Sequence, residues 1–79
     1  MRQLKLIWDF KGPDALKIAE HHVVHLKEYI IAESLNLNIT GVEPINEVHT
    51  IAFLVVEDNQ MPKVRAALKP HRGQVYSSD

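Results

Sequence analysis

The chain has 79 residues, no cysteine, and nine basic against ten acidic side chains for a formal net charge of −1. That length holds one small domain, residues 1-79, with a modest core; the lack of cysteine excludes disulfides, thiolate metal sites and cysteine nucleophiles, and the near-neutral charge removes any general pull toward nucleic acid or an anionic membrane. The longest apolar run, Ile51 to Val56, is too short to span a bilayer, and Arg2 and Lys5 lead into Trp8-Asp9-Phe10-Lys11 instead of an apolar signal segment, so a cytoplasmic location is expected.

Leu4, Leu6, Trp8 and Phe10 recur with a period of two and predict a first strand with one buried face. Lys11-Gly12 then turns the chain. Pro13 suits a first helical position, where its missing N–H has no partner to lose, and Asp14 suits the positive end of the helix dipole. Leu16, Ala19, Val23, Leu26 and Ile30 follow at spacings of 3, 4, 3 and 4, a core stripe that carries a helix to about Glu33 or Ser34. Asn36-Leu37-Asn38 breaks it. Ile39 to Glu43 predicts a second strand, weakened by Gly41, stopped by Pro44 and therefore placed at a sheet edge. Val48 to Val56 is apolar on both faces and predicts a central, doubly covered strand. Glu57 to Gln60 is loop and helix-start chemistry, Val64, Ala67 and Leu68 mark a short second helix ending before Pro70, and Gln74 to Ser77 predicts a last strand.

The order βαββαβ closes most simply as an α+β, ferredoxin-like sandwich: a four-stranded antiparallel sheet in spatial order 4-1-3-2 with both helices on one face. Its second face would carry Ile7 and part of the Ile51–Val56 run uncovered. Because a monomer seldom exposes such a patch, a homodimer packed sheet to sheet is expected.

The stretches WDFKGPDAL after the first strand, NLNITGVE at the second and TIAFLVVED at the third follow one another in an order that resembles ACT-type regulatory domains. They are similar also to the small dimeric α/β-barrel proteins. The resemblance covers nearly the whole chain, rests on short motifs, and implies the ferredoxin-like fold and dimerisation.

Two groups of side chains carry candidate chemistry. On the first helix, about 100° per residue sets Ile18, His22, His25 and Tyr29 along one side with His21 at its border. His21 and His25 form an i, i+4 pair that can present two imidazoles to zinc, nickel or copper, but a stable site wants further ligands, which Glu28 or a second subunit would supply. Without a fixed-spacing signature, a half-exposed helix flank or subunit contact accounts for the same residues. The second group depends on topology. The end of the first strand, the start of the first helix, the hairpin and the approach to the last strand share one end of the fold, where Asp9, Gly12, His49, His71 and Arg72 converge. Helix-start N–H groups and an arginine would hold a carboxylate or phosphate, and Asp9 with His49 or His71 would form a proton-transfer pair; solvated loop residues are the plain alternative. Trp8 belongs to the core if its face meets the helices, or to a pocket with Phe53 or Tyr76 if it faces a dimer cleft. The basic run Lys63, Arg65, Lys69, His71 and Arg72 fits a solvated face.

Three functions remain: a dimeric small-ligand-binding or regulatory module for an anionic small molecule, a small cofactor-independent enzyme using His49 or His71 as acid/base, and divalent-metal binding through His21 and His25. Ser34, Ser77 and Ser78 lack a nucleophile-elbow context. With three unpaired glycines there is no phosphate-binding loop or dinucleotide fingerprint, so no cofactor is expected.

Overall fold

The computed structural model describes residues 2–76. The first strand, β1 (Gln3–Lys11), is followed by a turn in which Gly12 takes φ +111°, a backbone region open to glycine and strained for other residues. The Gly12 N–H donates to the Val48 carbonyl at 2.8 Å and its carbonyl accepts from Ala15 N–H at 3.2 Å. That turn holds Pro13 outside the helix, so α1 (Ala15–Ala32) begins two positions later than Pro13. Its buried stripe is Ala15, Ala19, Val23, Leu26 and Ile30. Leu16, expected in that stripe, is 45% exposed and Ala15 takes the place at 1%.

The second strand, β2 (Thr40–Asn46), continues through Pro44, which was expected to stop it. It pairs only with β3 (His49–Glu57), so a missing N–H at this sheet edge breaks no second ladder; the register shifts between Pro44 and Asn46. A 3-10 turn at Asp58–Gln60 leads into α2 (Met61–Leu68), where Val64 is buried but Ala67, expected beside it, is exposed. Lys69 closes α2 in the left-handed region at φ 49°. The last strand, β4 (Arg72–Tyr76), starts two residues earlier than expected and takes in Arg72; Ser77, its expected end, lies outside the described residues.

The sheet is antiparallel throughout in the order β2-β3-β1-β4, which read from the opposite edge runs 4-1-3-2. Leu6 and Trp8 of β1 and Ala52, Leu54 and Val56 of β3 pack against Ala19, Val23, Leu26 and Ile30 of α1 and Val64 of α2. Trp8 is thus core, and its indole Nε1–H donates to the Leu68 carbonyl at 3.0 Å, tying the end of α2 to the sheet.

The intervening residues form the helix-free face, and this face is not bare. Ile7, Ile51 and Val55 are only 2%, 4% and 0% exposed. The Lys5 ammonium crosses the Phe53 ring at 4.6 Å from its centroid to reach the Glu43 carboxylate at 2.6 Å. Gly41 makes room for this: the Phe53 ring lies 3.4 Å from where a β-carbon at Gly41 would stand. The expected uncovered patch of Ile7 and the third strand is therefore roofed by the chain's own long side chains.

Candidate functional site

Asp9 is the centre of a polar cluster because alternate residues of β1 point away from the helices, and the antiparallel registers bring His49 and Arg72 diagonally to its flanks. The Arg72 guanidinium donates from Nε to Oδ2 at 3.0 Å and from Nη2 to Oδ1 at 3.1 Å. His49 Nε2–H donates to the same Oδ1 at 2.8 Å. The hydrogen-bonded Arg72, with His49 adding to it against the opposing effect of burial, holds the Asp9 carboxyl at about 2, and the same pairing raises Arg72 above its ordinary value. An ionised carboxylate only accepts, so the His49 proton must sit on Nε2.

His71 joins from the loop before β4. The Asp9 backbone N–H donates to its Nδ1 at 2.9 Å, and the His71 N–H donates to the Ile7 carbonyl at 2.9 Å. Because that Nδ1 accepts, the proton of the neutral ring sits on Nε2. Of the five expected residues, Asp9, His49, His71 and Arg72 thus meet through hydrogen bonds. The Gly12 N–H is spent on the Val48 carbonyl, so the turn before α1 offers no free donor at this position.

Beside the cluster, between α2 and β4, runs a groove of about 480 Å³. Leu4, Leu6, Met61 and Val75 supply its apolar surface, and Arg2, Arg65, His71 and Arg72 its polar lining, with no carboxylate among the described lining residues. The groove exists because α2 is short and β4 is largely exposed, Val75 being 59% so. Arg2 pairs with Asp58 at 3.3 Å. Sequence reasoning found His71 and Arg72 but not Arg2, Leu4, Leu6, Met61, Arg65 and Val75 as neighbours; the only signal was the basic second helix, read as a solvated face.

The α1 histidines divide into two environments. His22, expected on the side of His25, instead tucks against Trp8 and Phe10, with ring centroids at 4.9 and 5.5 Å, and its Nε2 is buried without a partner among the described residues. Burial foremost, then the charges of His25, His71 and His21, lowers its pKa. His21 and His25 stay exposed with their Nε2 atoms 3.2 Å apart, and His25 Nδ1–H donates to Glu28 Oε1 at 3.1 Å. Glu28 therefore braces the pair from behind and does not close it as a third ligand. Among the described residues, no group of three or more His, Cys, Asp or Glu side chains is placed to hold a metal ion, and no helix is long and apolar enough to cross a membrane.

Comparisons of the chain with protein-family models, curated proteins and solved structures find no match.

Proposed function

We propose that the protein is a small-ligand-binding or regulatory module of ferredoxin-like type, taking an amphipathic anionic small molecule, such as an aliphatic carboxylate, in the groove between α2 and β4. The observation that carries this reading is the groove's composition: an apolar wall of Leu4, Leu6, Met61 and Val75 beside Arg65, His71 and Arg72, without a carboxylate among the described lining residues. Its size falls within the few-hundred-Å³ range of small-molecule sites. Arg65 makes no ion pair among the described residues, whereas Arg2 and Arg72 are already paired. Arg65 is therefore the cation with most to offer an incoming carboxylate, and the apolar wall would take the ligand's body. Heteronuclear NMR titration with a series of aliphatic carboxylates tests this. Saturable shifts confined to the groove, strengthening with chain length and lost in Arg65→Gln, are expected; absence of saturation with every member of the series, or equal binding by Arg65→Gln, defeats the reading.

A second reading, a cofactor-independent acid/base enzyme, rests on the Asp9–His49 contact of 2.8 Å, which orients one imidazole and leaves its Nδ1 open. His71 fits that role less well because its Nδ1 is occupied by the Asp9 N–H. Turnover of a bound carboxylate that falls by about 100-fold or more in His49→Gln would favour it; binding without turnover favours the module.

We also propose that the working unit is a homodimer joined through the helix-free faces. Its support is the pair of oppositely charged groups on that face, Lys5 and Glu43, 2.6 Å apart within one chain and able to exchange partners across a two-fold axis; the apolar layer of Ile7, Ile51 and Val55 beneath them is already buried in the single chain.

A further inference from the structure

We propose that His21 and His25 chelate a divalent transition-metal ion, copper(II), nickel(II) or zinc(II), through their Nε2 atoms on the exposed flank of α1. This site is separate from the groove and independent of the ligand reading.

The spacing of the two donors is the principal observation. Two zinc–nitrogen bonds of about 2.0–2.1 Å at a tetrahedral angle span ~3.3 Å between nitrogens. The Nε2 atoms already stand 3.2 Å apart, with the rings edge to face at 84°. One helical turn brings the side chains together, and the nitrogen separation needs no change for both to meet one ion; the rings have only to turn and His21 to shift its proton.

The second observation is the bond behind His25. Its Nδ1–H donates to Glu28 Oε1 at 3.1 Å, the carboxylate–histidine arrangement that fixes the ring and makes Nε2 the lone-pair nitrogen. In the metal-free pair, His21 Nε2–H then donates to His25 Nε2. Metal binding forms two nitrogen–metal bonds and displaces two waters from the ion, while the His21 Nε2 proton moves through solvent to its own Nδ1. Charge and proton count balance without another reactant.

His22 stays out of the site because its Nε2 is buried beside Trp8 and Phe10. The side chains of His25 and Glu28 are 59% and 69% exposed, so water fills the ion's remaining positions. A two-nitrogen set of this kind ranks ions by intrinsic affinity, with copper tightest and nickel and zinc weaker.

The test is titration of the full chain with nickel chloride, followed by paramagnetic broadening in NMR spectra, and with copper sulfate, followed by calorimetry. One ion per chain, broadening centred on His21 and His25, and copper binding tighter than nickel are expected. His21→Gln and His25→Gln should each weaken binding by about ten-fold or more. Glu28→Gln, which keeps the helix surface but removes the bracing charge, should weaken it by up to about ten-fold. His49→Gln and His71→Gln should bind as the parent chain does. Failure of nickel to saturate below about 1 mM, broadening centred on His49 or His71, or unchanged binding in His21→Gln overturns the proposal. Because these positions lie on the exposed helix flank, the outcome is independent of whether Arg65 binds carboxylates.

Discussion

Asp9 and Arg72, separated by 63 positions in the chain, form a two-point ion pair at 3.0 and 3.1 Å that locks the start of β4 onto β1. It lies just beyond the Ile7–Arg72 register pair, where the β1–β4 ladder ends. The side chains thus add to the His71 N–H bond to the Ile7 carbonyl in extending the attachment past the end of the ladder.

Asp9→Asn should destabilise the protein at pH 7 by on the order of 1–2 kcal/mol, a figure discounted for solvent screening because the Arg72 side chain is half exposed. The Asp9 carboxyl stands at about 2 in the fold against an ordinary 3.8, so its contribution is complete above 3.8 and disappears as pH falls toward 2. Thermal melts of parent and Asp9→Asn should converge over that acid range. Parallel curves from pH 5 to pH 2 would show that the pair does not stabilise the fold.

His22 reports in the opposite pH region. Its depressed pKa means that below the ordinary value of 6.5 the unfolded chain takes a proton before the folded chain does, so stability falls as pH drops through that value. The coulombic effects of His25, His71 and His21 on His22 act in the same direction. His22→Phe keeps a ring against Trp8 and Phe10 and removes the unpartnered nitrogen. It should be neutral or stabilising by up to about 1 kcal/mol at pH 7.5, and should lose less melting temperature than the parent between pH 7.5 and 5.5. Identical pH dependence in both proteins would assign the effect elsewhere.

Leu54 and Phe53 are adjacent and face opposite layers. Leu54 is fully buried under α1, so Leu54→Ala should cost about 2–5 kcal/mol in urea unfolding. Phe53→Asp puts a charge on the helix-free face beside Lys5. It should leave a folded chain and dissociate the proposed homodimer, seen as a halved mass in sedimentation. A parent chain that is monomeric at micromolar concentration removes the dimer proposal.

Gly12→Ala tests the turn before α1. Nothing stands within 4 Å of an added β-carbon, so any cost comes from the +111° φ alone. A loss of about 1–2 kcal/mol is expected, while an unchanged urea midpoint would mean that the turn relaxes freely.

Much of the fold was legible in local patterns. The period of two from Leu4 to Phe10 set the helix-facing side of β1, and the unbroken apolar run in β3 marked it as central, since strand geometry forces successive side chains to opposite faces wherever the strand lies. The βαββαβ order placed Asp9, His49 and Arg72 at one end of the fold, while the registers that bring them into contact came from the structure. Other features were decided by packing between distant segments. The depth at which α1 docks put Ala15 inside and Leu16 outside, and turned His22 onto Trp8 while leaving His21 and His25 exposed. The edge position of β2 tolerated Pro44. Lys5 and Glu43 covered a face that hydrophobic patterning left open, and the short α2 left a groove beside β4. Helix rotation, long side-chain reach and the gap between elements follow from the volumes that meet in three dimensions, which no periodicity along the chain encodes.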